Sequence, residues 1–146
     1  MPSSWRGSVL LMPPPADRTP FSLSVTAVAA DIDELGHVNN TVYLRWVQDV
    51  ATAHWQAVAR PEDIDRYVWV VSRHEIDYLR ATLPGETVTL TTWVGTPKGA
   101  RFDRHVEISD GTGKPKVRAL TIWALIDRAT GRAIRVPADV AAPFLR

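Results

Sequence analysis

Apolar and polar residues alternate with a period of two near the start of the chain, and this alternation predicts a half-buried strand. Phe21, Leu23, Val25 and Ala27 are apolar, whereas the residues between them are serine or threonine. Four later segments alternate in the same way or are rich in β-branched and aromatic residues, so they predict further strands. These segments are residues 67–79, 87–96, 101–109 and 116–127. The turns between the last four strands are short and contain glycine, so those neighbours are expected to be antiparallel.

A different periodicity predicts a long helix over residues 41–59. Its polar residues lie on one narrow face: Arg45, Gln48, Asp49, Thr52 and Gln56. The remaining circumference is mostly apolar, so the helix should be buried on several sides. Asn39 or Asn40 can cap its start, and Pro61 with the acidic residues after it should end it. The elements together predict an α+β architecture, with a long central helix held by an antiparallel sheet of about five strands.

The first twenty residues differ from the rest of the chain. Residues 1–20 hold five of the eleven prolines and show no periodicity, so they are expected to form a flexible proline-rich arm. The remaining residues, 21–146, fit one domain of ordinary size. We find no apolar segment near the roughly 20 residues of a membrane helix and no secretory cleavage pattern. We therefore expect a cytoplasmic protein that does not enter a membrane.

Charge and cysteine content narrow the function classes. The chain has 17 basic and 16 acidic residues, so it has no large excess of positive charge that would attract nucleic acid. It has no cysteine, which excludes a disulfide scaffold, a cysteine-ligated metal and a thiol nucleophile. The four histidines are scattered, so we expect no metal site.

The residues with the most chemical potential are concentrated between Asp31 and Trp46. This segment places two carboxylates, an imidazole and two amides around a glycine at the predicted helix start. The N–H groups of a first helical turn can stabilise a developing oxyanion, and a nearby carboxylate can attack or activate water. The same residue types are common in ordinary loops and helix caps. From the residues alone, a catalytic role and a structural role both remain open.

This segment resembles the signature of hotdog-fold thioesterases of the 4-hydroxybenzoyl-CoA thioesterase and acyl-ACP thioesterase group. The signature has the form Asp-x-Asp-x-x-x-His-Val-Asn-Asn-x-x-Tyr-x-x-Trp, and the chain carries it complete from Asp31 to Trp46. Weaker similarities extend the resemblance over residues 21–144. It implies a hotdog fold, in which the sheet wraps the helix, and a homodimer or homotetramer. It also implies active sites at the subunit interface.

The resemblance assigns expected roles to individual residues. Asp33 matches the catalytic carboxylate, which acts as nucleophile or general base, and His37 matches the signature histidine. The positions that match the substrate-binding helix start are Asn39, Asn40, Val42 and Tyr43. Some acyl-ACP members have been assigned a cysteine nucleophile in a region that here reads Arg80-Ala81-Thr82, which leaves Asp33 as the strong candidate.

Two further groups of charged residues have less specific interpretations. Lys98, Arg101 and Arg104 follow a glycine turn where the family often places basic groups against coenzyme A phosphates; solvated surface charge is the alternative. Asp49 lies four residues after Arg45 on the predicted helix. This spacing favours an ion pair, and a supporting role in positioning water is the alternative.

The resemblance implies an acyl-CoA thioesterase that hydrolyses its substrate to a free acid and coenzyme A. No cofactor is expected beyond the coenzyme A of the substrate. Two alternatives stay open: hydrolysis of an acyl group carried by an acyl carrier protein, and a non-catalytic acyl-CoA-binding module.

Overall fold

A computed structural model describes residues 14–146 of the chain. Its strands are β1 (Phe21–Thr26), β2 (Tyr67–Tyr78), β3 (Thr87–Val94), β4 (Arg101–Ser109), β5 (Pro115–Asp127) and β6 (Arg132–Ala133). Its helices are α1 (Asn40–Val58), α2 (Pro61–Arg66) and α3 (Ala138–Ala141), with 3₁₀ turns at Ala29–Asp31 and Ala142–Phe144. The five predicted strands and the long helix are all present, with boundaries within two residues of those expected.

The main strands form one sheet in the order β1-β3-β4-β5-β2, and β6 pairs with β5. Every pairing is antiparallel, and the predicted neighbours β3 with β4 and β4 with β5 are confirmed. The expectation that β2 and β3 are neighbours is wrong, because β2 pairs with β5 and β3 lies between β1 and β4. β2 and β1 lie at the two edges of this order, and β2 carries an irregularity between Val71 and Arg73. The predicted α+β architecture is therefore confirmed.

The helix α1 packs its broad apolar side against the sheet, and its five predicted polar residues are all exposed. Val47 and Val50 are fully buried in the middle of this contact. The helix ends at Val58, as expected, but residues Pro61–Arg66 then form a separate helix, α2. Proline is well tolerated at the first position of a helix, so Pro61 starts the second helix here as well as following the first.

The sheet has two ends, which we call the head end and the tail end. At the head end, where α1 starts, β2 finishes at Tyr78 and β3 begins at Thr87. At the tail end, β2 begins at Tyr67 and β3 finishes at Val94. Two clusters of buried side chains correspond to these ends, one below the first half of α1 and one below its second half. Within one copy of the chain, functional groups at the head end and at the tail end of the sheet are therefore separated by about the length of α1.

The described part of the predicted arm contacts the end of the chain. Arg18 donates hydrogen bonds to the carbonyl oxygens of Leu145, at 3.1 Å, and Gly95, at 3.4 Å. The prediction for residues 1–13 lies outside the described residues. Among residues 14–146, none of the helices has the length and apolar character that a bilayer crossing needs.

Candidate active site

The signature segment forms a tight loop at the head end, directly before α1. Ile32 and Val38 pair as an isolated antiparallel bridge, and the Asp33 N–H donates to the His37 carbonyl oxygen at 2.9 Å. Gly36 has a φ of 80°, a conformation that side-chain-bearing residues rarely adopt, and it closes the turn. The Val38 N–H donates to the Thr82 carbonyl oxygen at 3.0 Å, which fixes the loop to the segment after β2.

The Asp33 carboxylate is held by the backbone of its own loop. Its Oδ1 accepts a hydrogen bond from the Leu35 N–H at 2.9 Å and a longer one from the His37 N–H at 3.5 Å. Asp33 is half-buried, whereas His37 is exposed. The loop thus fixes the carboxylate and leaves the imidazole free to meet another molecule.

Asp31 has a different environment, although it lies only two residues away. It is 5% exposed, accepts the Val28 N–H at 3.0 Å, and pairs with the Arg45 guanidinium at 2.9 Å. The Val28 N–H and the Arg45 charge lower the pKa of Asp31 below its ordinary value, and burial opposes them. The prediction of an ion pair between Arg45 and Asp49 is wrong, because Arg45 pairs with Asp31 instead and Asp49 is exposed.

At the start of α1, fewer groups are available to contact a substrate than the resemblance implies. Asn39 caps the helix, because its Oδ1 accepts the Thr41 N–H at 2.9 Å and its carbonyl oxygen accepts the Val42 N–H at 2.9 Å. The N–H of Asn40 also belongs to the first turn but does not donate to Asn39, and Asn40 is exposed.

The two other predicted substrate-binding residues point into the core. Val42 and Tyr43 are buried, and the Tyr43 hydroxyl donates to Thr82 Oγ1 at 2.9 Å. Tyr43 also contacts the Tyr78 ring, with 5.8 Å between centroids. These two side chains position the helix start, and Asn40 is the member of the predicted set that faces solvent.

The three predicted basic residues do not form one surface. Lys98, in the turn before β4, and Arg101, the first residue of β4, are exposed at the tail end, and their backbones hydrogen-bond to each other at 2.9 and 3.0 Å. Arg104 is only 8% exposed. Side chains alternate between the two faces of a strand, so Arg104 lies with Phe102 on the face toward α1. The expectation that Arg104 joins the other two at the surface is wrong.

A cavity of about 210 Å³ lies between the second half of α1 and the tail end of the sheet. Six aromatic residues contribute to its wall: Trp55, Tyr67, Trp69, Phe102, Trp123 and Phe144. Arg104 also lines it, but Asp33 and His37 do not. The first α1 residue in the wall is Ala51, eleven positions after Asn40, which corresponds to about 16 Å along the helix axis. One copy of the chain therefore does not bring the cavity and the Asp33 loop together.

Sequence reasoning missed the cavity and the buried pair beside it, in which Arg104 donates to His54 at 2.8 Å. His54 is a polar residue on the apolar side of α1, and this position is the feature of the sequence that could have indicated a buried polar contact. In the part of the chain that the structure describes, no group of three or more histidine, aspartate or glutamate side chains is arranged to hold a metal ion.

A family model described as the thioesterase-like superfamily matches residues 28–144, which include the Asp33 loop, α1 and the whole sheet after β1. The chain belongs to the thioesterase-like superfamily. A chloroplastic acyl-[acyl-carrier-protein] hydrolase of Cuphea viscosissima is 32% identical to this thioesterase-like protein over 74 residues. That match covers 50% of the chain but only 18% of the relative, so the chain corresponds to a small part of the curated relatives that it matches.

Solved structures share the fold at lower identity. A candidate oleoyl thioesterase from Lactobacillus plantarum superposes with a TM-score of 0.80 and 20% identity, over 88% of this chain and 52% of the other. A Thermus thermophilus thioesterase, complexed with coenzyme A and Zn, superposes with a TM-score of 0.74 and 22% identity, over 84% of this chain and 90% of the other. These likenesses confirm the predicted hotdog fold.

Proposed function

We propose that this thioesterase-like protein hydrolyses an acyl-CoA thioester to a free acid and coenzyme A. The observation that carries the proposal is the Asp33 carboxylate, which its own loop fixes directly before the exposed start of α1. As general base, Asp33 takes a proton from water while the water oxygen adds to the thioester carbon. The intermediate then expels the coenzyme A thiolate, which takes up that proton. As nucleophile, Asp33 instead adds to the thioester carbon and expels the coenzyme A thiolate, which leaves a mixed anhydride. Water then hydrolyses the anhydride to the free acid and the Asp33 carboxylate, and a proton from this water neutralises the thiolate.

The helix start and the loop histidine support the same step. The Asn40 N–H lies at the positive end of the α1 dipole, where a developing oxyanion is stabilised. His37 is exposed on the same loop as Asp33 and can orient the bound thioester. In this proposal, Asn39 acts by capping the helix and so fixes the position of the Asn40 N–H.

The proposal includes a site shared between two copies of the chain. In the described structure β2 pairs on one side only, with β5, and its exposed side chains include Val68 and Val70. An open edge of twelve residues with exposed valines favours pairing with another strand. Antiparallel pairing of two β2 strands about their centres places the Tyr78 end of one beside the Tyr67 end of the other.

This pairing brings together the parts that one copy keeps apart. Tyr78 contacts Tyr43 near the helix start, whereas Tyr67 lines the cavity. The Asp33 loop of one copy would therefore meet the cavity of the second copy. Lys98 and Arg101 lie at the tail end of the sheet, near the cavity, where they could contact the phosphates of coenzyme A. The cavity would then receive the acyl group.

The direct test measures thiol release from a panel of acyl-CoA thioesters by wild type and Asp33→Asn. We expect kcat/KM to fall about 10²- to 10⁴-fold, because the variant lacks the base or nucleophile. Glu34→Gln is the matched control, since Glu34 is an exposed carboxyl neighbour. Equal turnover by wild type and Asp33→Asn would show that Asp33 has no catalytic role.

A second candidate is hydrolysis of an acyl group on an acyl carrier protein. It is favoured by the names of the matched curated relatives, which are acyl-carrier-protein hydrolases, and Lys98 with Arg101 could contact an acidic carrier. The same acyl group is offered on coenzyme A and on a carrier protein. A higher kcat/KM for the carrier-linked ester would replace the leading proposal. Tight acyl-CoA binding without thiol release would instead indicate a non-catalytic binding module.

A further inference from the structure

Arg104 is a buried guanidinium without a carboxylate partner among the described residues. It is 8% exposed, and its hydrogen bonds run from Nη1 to His54 Nδ1 at 2.8 Å and to Thr92 Oγ1 at 3.0 Å. Burial lowers the pKa of Arg104 to about 10, so the group stays charged at neutral pH. Buried charges in proteins are normally paired, because leaving water without a counter-charge is costly.

His54 does not supply the missing negative charge. Burial, with a smaller contribution from the Arg104 charge, lowers the pKa of His54 to about 4, so the imidazole is neutral. Its Nδ1 therefore accepts the hydrogen bond from Arg104 as an uncharged group. The ring also stacks on Phe21, with 5.0 Å between centroids, which fixes its orientation. The pair orients the guanidinium and leaves its charge uncompensated.

Arg104 is one of the residues that line the tail-end cavity, and six of the other lining residues are aromatic. Trp123 lines the same cavity, and its buried Nε1 has no hydrogen-bond partner within residues 14–146. Among the described residues of the wall, Asp103 is the one carboxylate residue, and strand alternation assigns its side chain to the opposite face of β4. Arg128, the other cationic residue in the wall, donates to backbone carbonyl groups. The described wall therefore carries two cationic residues, Arg104 and Arg128, against one carboxylate residue, Asp103.

We infer that this cavity binds an acyl group that ends in a carboxylate, and that Arg104 is the residue that selects it. The inference rests on the proposed function, because it names the substrate class of that same shared site. The carboxylate would accept hydrogen bonds from the guanidinium fork, and the apolar body would lie against the aromatic wall. The cavity volume of about 210 Å³ is large enough for several non-hydrogen groups. This size fits a short aliphatic chain or one ring.

A methyl-ended acyl group of the same length is expected to be a poor substrate. It would exclude water from the guanidinium without offering an acceptor, and a site built to hydrogen-bond its substrate rejects analogues that lack the polar group. The matched pairs are adipoyl-CoA with hexanoyl-CoA, and suberoyl-CoA with octanoyl-CoA. We expect wild type to favour the carboxylate-ended member by a kcat/KM ratio on the order of 10² at the chain length that fits.

Variants then assign the preference to Arg104. In Arg104→Met the ratio should fall to one or below, and Arg104→Lys should give an intermediate ratio, because lysine keeps the charge but loses the planar fork. Arg132→Met is the control: it removes an exposed arginine and should leave the ratio unchanged. A purely structural role for Arg104 would lower the rates for both substrates together and leave their ratio in place.

A binding measurement on wild type needs neither a variant nor activity. Three tryptophans line the cavity, so their fluorescence reports its occupancy: Trp55, Trp69 and Trp123. We expect hexanoate to bind more tightly than hexanamide, its uncharged counterpart. Thioester hydrolysis that favours methyl-ended substrates overturns the inference and leaves the proposed function standing. Hexanoate binding with equal turnover of both thioesters also overturns it, since the cavity would then hold free acids only. Carboxylate-selective binding without any hydrolysis would keep the Arg104 site and overturn the proposed function.

Discussion

Two aspartates of the loop before α1 lie two residues apart, and their environments separate their roles. Asp31 is buried and ion-paired with Arg45, whereas Asp33 is half-buried and held by N–H groups of its own loop. A carboxylate engaged by a guanidinium and a backbone donor is suited to fixing structure. The carboxylate at Asp33 keeps an acceptor that the loop does not use, since its described hydrogen bonds fall on Oδ1.

Asp31→Asn is expected to lower the free energy of unfolding by about 1–3 kcal/mol at pH 7, because a charged, buried acceptor is lost. The folded protein holds the pKa of Asp31 below its ordinary 3.8. Its contribution is therefore present above pH 3.8 and is lost as the pH falls through the lower, folded value. Urea unfolding at pH 7 and in acid checks both statements. Asp49→Asn, at an exposed carboxyl of α1, should unfold like wild type, and an equal loss there would contradict the assignment.

His54 should titrate with a pKa of about 4. NMR of the imidazole resonances measures this pKa, and the resonances of His54 are assigned because they are lost in His54→Gln. The unfolded chain binds a proton at this histidine near pH 6.5, and the folded chain does not until about pH 4. Stability should therefore fall as the pH drops from 6.5 toward 4, and this fall should be smaller in His54→Gln. His37→Gln, at an exposed histidine, should leave the fall in place. An unperturbed titration of His54 would show that its contact with Arg104 is open to water.

At the scale of elements, periodicity was sufficient wherever one face meets the core and the other meets water. β1 and α1 follow that rule, so alternation and helical spacing located both. The helix α2 was missed because Pro61 is equally compatible with ending one helix and starting the next. Arg104 was grouped with Lys98 and Arg101 because all three follow the glycine turn, although in β4 it lies two residues from Phe102 and from Val106, on the buried face.

The candidate site was only partly readable for a related physical reason. The Asp33 loop and the Asn39 cap are formed by residues that are close together in the sequence, so the spacing of those residues predicts them. The Arg104–His54 contact joins residues 50 positions apart, and the cavity is a space that two packed elements leave unfilled. Neither depends on local spacing, so both required the structure.

Asn39→Ala tests the cap that fixes the start of α1. It removes the acceptor of the Thr41 N–H and should lower the free energy of unfolding by about 1 kcal/mol. Asn40→Ala changes the exposed neighbour, which does not cap the helix, and should cost much less. Chemical denaturation of the two variants side by side is the measurement. Equal losses would mean that Asn39 does not hold the helix start.

At the scale of the whole molecule, the separation of the two ends decides how many copies a working site needs. Asp33 lies at the head end, before α1 starts at Asn40, whereas the first α1 residue of the cavity wall is Ala51, about 16 Å farther along the helix axis. Thr52 is exposed on α1 and lines the cavity, so Thr52→Trp should fill it without touching the Asp33 loop. Asp33→Asn and Thr52→Trp are each expected to be inactive alone, because each would damage both sites of the proposed symmetric dimer.

Mixed dimers of these two variants distinguish a shared site from a site within one chain. The variants carry different affinity tags, are co-expressed, and are purified through both tags. If each site combines the Asp33 loop of one copy with the cavity of the other, one of the two sites is intact and about half of the wild-type activity returns. If each site lies within one chain, no activity returns. The reciprocal pairing, wild type with a chain carrying both substitutions, must give the opposite pattern: a shared site leaves no active centre, whereas a site within one chain keeps half the activity.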